Sequence, residues 1–75
     1  MPKQTAIPAD LAEYADENDA LANYRRAEAA LYANNAAEVR AGVKGETDEF
    51  HRLNDAVIAA GKQLPKRFKY LTKGV

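Results

Sequence analysis

The sequence predicts an all-α fold: a small helical hairpin, a three- to four-helix domain with a long central alanine-rich helix. Three observations lead there. Sixteen of the 75 residues are alanine, the strongest helix former. Glycine and proline are absent from Asp19 to Ala41, then recur as punctuation at Gly42, Gly45, Gly61 and Pro65. The larger apolar residues return at spacings of three and four, the period of a helix face.

The elements follow in order within one domain spanning 1–75. Pro2 and Pro8 bracket an unpatterned stretch, read as a flexible arm over residues 1–8. A first helix is expected over about 9–17, started by Pro8 or by Asp10 with Glu13 three residues on, the spacing of a capping box. The polar cluster Asp16-Glu17-Asn18-Asp19 then favours a break or kink, because Asn18 is a good cap and its acidic neighbours suit a new helix amino terminus. The second and longest helix is expected over 19–41. Its stripe of Leu21, Tyr24, Ala27 or Glu28, Leu31 and Asn35 has small neighbours that let another helix approach. Gly42 supplies the stop, with Arg40 in the last turn where a cation suits the dipole.

The connector from Gly42 to Glu46 fits an antiparallel hairpin. Thr47 caps a third helix over 48–61, with Asp48 and Glu49 in its first turn and a core stripe of Phe50, Leu53, Val57 and Ala60 widened by Ile58. Gly61 reads as its carboxy-terminal cap. Pro65 opens a short final helix over 65–73. At 100 degrees per residue, Lys66, Lys69 and Lys73 share one face of it, opposite Phe68, Leu71 and Val75.

Composition narrows the function. Covalent catalysis needs a nucleophile and a group that activates it, and the chain has no cysteine, no serine and a single histidine, His51. Non-enzymatic action with no cofactor is the expectation. A lone histidine beside Phe50 at the edge of an apolar stripe reads as structural, and Glu46, Asp48 and Glu49 around it reproduce no metal site. Asp16 to Asp19 has neither the central glycine nor the distal glutamate of a calcium loop. No run approaches the roughly 18 apolar residues of a membrane span and the amino terminus carries no signal peptide, so no membrane partner and a cytoplasmic location are expected.

Leucine, isoleucine, valine and phenylalanine number only fourteen, too few for a generous core in one copy, so folding assisted by a homodimer or another partner is expected. Charge is sorted along the chain although it sums to zero. Residues 1–38 hold seven carboxylates against three basic groups, and the last twenty residues hold five basic groups and no acid. Lys66, Arg67, Lys69 and Lys73 with Tyr70 therefore form a candidate partner-binding strip, able to meet an acidic protein surface, the acidic front of the same or another copy, or phosphates with a stacked base.

Tyr24, Arg25, Tyr32 and Asn35 on the long helix are further candidates, since tyrosine and arginine are enriched in interfaces. The adjacent Asn34 and Asn35 each cost about 0.5 kcal/mol against alanine inside a helix and call for compensation. A helix-turn-helix aligned on Gly45 places His51 where an apolar residue should pack, and its connector is too long. The functional expectation is a small helical protein-binding module, such as an inhibitor, antitoxin-like regulator or phage-type accessory factor. Nucleic-acid binding through the basic tail is the alternative.

Overall fold

A computed structural model describes residues 8–73, in which every regular element is a helix. The order is α1 (Ala9–Arg40), α2 (Asp48–Lys62) and a 3-10 helix, η1 (Lys66–Thr72). The expected arm up to Ile7, and Val75, lie outside the described residues.

α1 is one continuous helix of 32 residues, so the expected break at Asn18 does not occur. Asn18 turns its amide back along the helix instead, Nδ2 donating to the Tyr14 carbonyl at 2.8 Å. A side chain satisfied in this way caps nothing, and its acidic neighbours Asp16 and Asp19 face solvent. The start rests on backbone: the Leu11 and Ala12 N–H groups both donate to the Pro8 carbonyl, with no side-chain cap from Asp10.

The turn after α1 is built as the glycine implied. Gly42 has φ +79°, Val43 N–H donates to the Glu38 carbonyl and Gly42 N–H to that of Val39, the paired bonds of a Schellman motif. The Thr47 hydroxyl then joins the two helices. It accepts from Phe50 N–H at 3.0 Å, capping α2, and donates to the Glu38 carboxylate of α1 at 2.6 Å.

α2 runs back along α1, with Thr47 beside Glu38 and Gly61 beside Tyr24. Its Phe50, Leu53, Val57 and Ala60 are partly buried along the expected stripe. Gly61 is no cap: it is buried within the last turn of α2, and a Cβ there would meet Thr72 Cγ2 at 3.1 Å and Tyr24 Cε1 at 3.4 Å. Absence of a side chain lets the Tyr24 ring and η1 close on the helix. α2 ends at Lys62, where Lys69 Nζ donates to the carbonyls of Gly61 at 3.1 Å and Lys62 at 2.9 Å, a cation at the negative end of the dipole.

Among the described residues, only Tyr24, Leu31 and Leu64 are buried apolar side chains. The radius of gyration is 17.0 Å, against about 11 Å for a compact chain of this length. The molecule is an elongated hairpin with a core one residue deep.

A candidate interaction face on the hairpin

Tyr24 anchors the site from below. It is 4% exposed, its ring against Gly61 and its hydroxyl donating to the Leu71 carbonyl at 3.3 Å. Burial pushes its phenol above the ordinary tyrosine value, and the neighbouring Glu28 carboxylate adds to the rise. The expected partner contact from Tyr24 is therefore corrected: the residue is core, and its hydroxyl ties η1 to α1.

Above it lies an open groove of about 540 Å³ between the two helices. Leu31 and Tyr32 of α1 form one wall, Val57 and Ile58 of α2 the other, and Lys69 reaches over the end near η1. Tyr32 is 61% and Ile58 50% exposed, so the walls are apolar and wet. Arg25 lies beside the groove and donates to Glu28 at 2.8 Å, a bond that also raises the guanidinium pKa. Asn35 is half-buried, and the adjacent Asn34 has a buried Nδ2 without a hydrogen-bond partner.

The basic strip is dismantled by helix geometry. A 3-10 helix advances 120 degrees per residue, so Lys66 and Lys69 align with Thr72, while Arg67 aligns with Tyr70 and Lys73 departs from the lysine face. Lys69 is committed to the end of α2. Arg67 donates to Glu17 at 2.6 Å and lies over the rings of Tyr14 and Phe68, with centroid distances of 5.4 and 5.0 Å. The acidic front and basic tail of one copy thus meet each other through this pair. Lys66, Lys73 and Tyr70 stay exposed, Tyr70 at 63%.

The structure brings Tyr32 and Lys69 to the groove and places Arg25 at its edge, while Lys66 and Lys73 do not converge with them. Sequence reasoning placed Ile58 in the core and assigned nothing to Leu11, Tyr14 or Val39, which are 54%, 56% and 75% exposed. The signal was present in the spacing along α1, but a stripe through Tyr24 and Leu31 had absorbed it.

Among the described residues, no group of three or more His, Asp or Glu side chains is arranged to hold a metal ion, and no helix is long and apolar enough to cross a membrane. His51 sits 3.3 Å from Glu46 on the surface and packs edge-on to Phe50. Arg52 holds the Glu49 carboxyl below its ordinary range by a hydrogen bond. In comparisons with known proteins, no family model, no curated protein and no solved structure matches the chain.

Proposed function

We propose that this chain is a non-enzymatic helical module that binds another protein through the open apolar face of the hairpin, acting by occupying a surface as a regulator or inhibitor does. One observation carries the reading. Among the described residues three apolar side chains are buried, whereas Leu11, Tyr14, Tyr32, Val39, Ile58 and Tyr70 are each at least half exposed. Tyr32 and Ile58 line one groove, and exposed apolar surface of this kind favours association, with aromatic side chains the commonest anchors. Polar Asn35 and charged Arg25 and Glu28 interrupt the face, giving it directional contacts as well as area.

Nucleic-acid binding draws less support, since Arg67 and Lys69 are engaged within the fold and Lys66 and Lys73 alone make no continuous strip. A photo-crosslinking phenylalanine analogue at Tyr32, used in the cells that make the chain, tests the proposal. It is expected to yield a stoichiometric protein adduct, and the same label at exposed Lys44 is expected to yield none. Absence of any protein adduct at Tyr32 contradicts it.

A further inference from the structure

The exposed residues of α1 are not scattered. Exposed Leu11, Tyr14, Tyr32 and Val39, with partly buried Leu21, fall on the alternating three-and-four spacing of a heptad, and exposed Asn18 and Arg25 with partly buried Glu28 and Asn35 fill its remaining positions. This seam lies to one side of the row that faces α2, where Tyr24 and Leu31 are buried. A stripe at 3.5 residues per turn drifts by about 20 degrees per heptad on a straight helix, and a second helix follows it by winding left-handed.

The seam is also its own complement when reversed. About a midpoint between Arg26 and Ala27, Arg25 maps onto Glu28, Leu21 onto Tyr32, Asn18 onto Asn35 and Tyr14 onto Val39. In every one of these pairs one residue is at heptad position a and the other at d, the pairing by which antiparallel helices form their layers. We infer that the occupant of this face is a second copy of the chain, docked antiparallel along α1 about a two-fold axis at that midpoint. The inference rests on the protein-binding reading and specifies its partner.

Charge decides the direction. Antiparallel pairing sets Arg25 of each copy against Glu28 of the other, two attractive layers side by side at the axis. Parallel pairing in register sets arginine on arginine and glutamate on glutamate. Arg25 and Glu28 approach at 2.8 Å within one helix, with 55% and 20% of their side chains exposed, and antiparallel docking exchanges this pairing within a copy for pairing between copies.

Asn18 uses only its Nδ2 within its own helix, leaving Oδ1 to accept from the partner's amide at Asn35. Polar layers of this kind fix register at some expense of stability. Ala15, Ala22, Ala29 and Ala36 flank the seam on the side away from α2 and allow close approach. From Leu11 to Val39 the seam is about 42 Å long. A stable interface covers about 800 Å² per copy, roughly an eighth of the 5991 Å² that one copy exposes.

Sedimentation equilibrium on the full chain tests the inference with two charge variants. Arg25→Glu and Glu28→Arg each create two like-charge layers and are expected to weaken the dimer about tenfold or more. An equimolar mixture of the two restores both attractive layers, and a heterodimer as tight as the original is expected. Matching far-ultraviolet circular dichroism, together with rescue in the mixture, separates lost pairing from lost folding.

A dimer indifferent to both changes, or a mixture that stays monomeric, overturns the seam. A monomeric chain whose Tyr32 label captures a different protein overturns self-pairing and leaves the protein-binding reading standing. A monomer with no adduct removes both.

Discussion

α1 carries two rows that differ little in composition and greatly in environment. The row toward α2 contains Tyr24 and Leu31, 4% and 7% exposed. The row beside it contains Tyr14 and Tyr32, both more than half exposed, in the same helix and of the same residue type as Tyr24. What separates them is what lies opposite: Gly61 and η1 close over Tyr24, whereas the outer row stays more than half exposed at Tyr32 and at Tyr14, where the Arg67 guanidinium lies over the ring. Residue type therefore sets the capacity to bury area, and topology decides which tyrosine uses it. A hairpin covers one side of its long helix and leaves the other more open.

The sharpest way to break the contrast is to truncate one tyrosine from each row. Tyr24→Ala removes a buried ring and the hydrogen bond to Leu71, and the expected loss is about 3 kcal/mol or more in urea unfolding, enough to unfold so small a chain. Tyr32→Ala should change the unfolding of a dilute monomer by less than about 0.5 kcal/mol. Equal effects from the two would show that both rows contribute alike to the fold of one copy.

Gly61→Ala is the next largest. Alanine gains about 1 kcal/mol of helix propensity over glycine, yet its Cβ would meet Thr72 at 3.1 Å and Tyr24 at 3.4 Å. A lower midpoint of thermal unfolding is expected, and a higher one would mean that η1 does not pack there. Lys69→Met keeps the stem and removes the cation from the end of α2, with an expected loss of about 1 kcal/mol. Arg67→Ala should cost about 0.5 kcal/mol or less and its effect should shrink with added salt, because the pair with Glu17 is half exposed on the arginine side.

Alkaline pH tests the burial of Tyr24 without truncation. The folded-state pKa of Tyr24 is raised above the unfolded value near 10, so its contribution is intact below about pH 10 and is lost as pH climbs through the folded value. Tyr24→Phe should flatten that part of the stability profile. A profile that Tyr24→Phe leaves unchanged would count against the burial of its phenol.

Much of the scaffold is written locally and was legible. Thr47 with two acids after it, Gly42 after Arg40, and the Phe50-Leu53-Val57 stripe each act over one or two turns, and local chemistry settles them. Asn18 was misread because an asparagine has two outlets, a cap or a bond to the carbonyl four residues back, and packing along α2 and η1 favours continuity. Gly61 read as a cap because its neighbour in space, Tyr24, lies 37 residues away.

The lysine strip failed for a different reason: it assumed 100 degrees per residue where the seven-residue segment adopts 120. Lys69 and Arg67 then found partners in α2 and α1. The candidates on α1 divided the same way. Tyr24 went to the core, whereas Arg25, Tyr32 and Asn35 fell along the outer seam, a period that the sequence holds but that only the uncovered face makes meaningful.

The central claim is that this outer row is filled by a second copy running the other way. The chain has no cysteine, so a single spin label at Ala30→Cys or Ala37→Cys reports one distance per dimer. Both positions are exposed and lie on the same side of the heptad, away from the seam. Antiparallel pairing about the midpoint separates the labels along the axis by about 10 Å at position 30 and about 31 Å at position 37. Double electron–electron resonance in frozen solution is expected to give a distinctly longer distance for Ala37→Cys than for Ala30→Cys. Equal distances from the two would place the copies parallel, and no dipolar signal from either would leave the row unpaired; both contradict the claim.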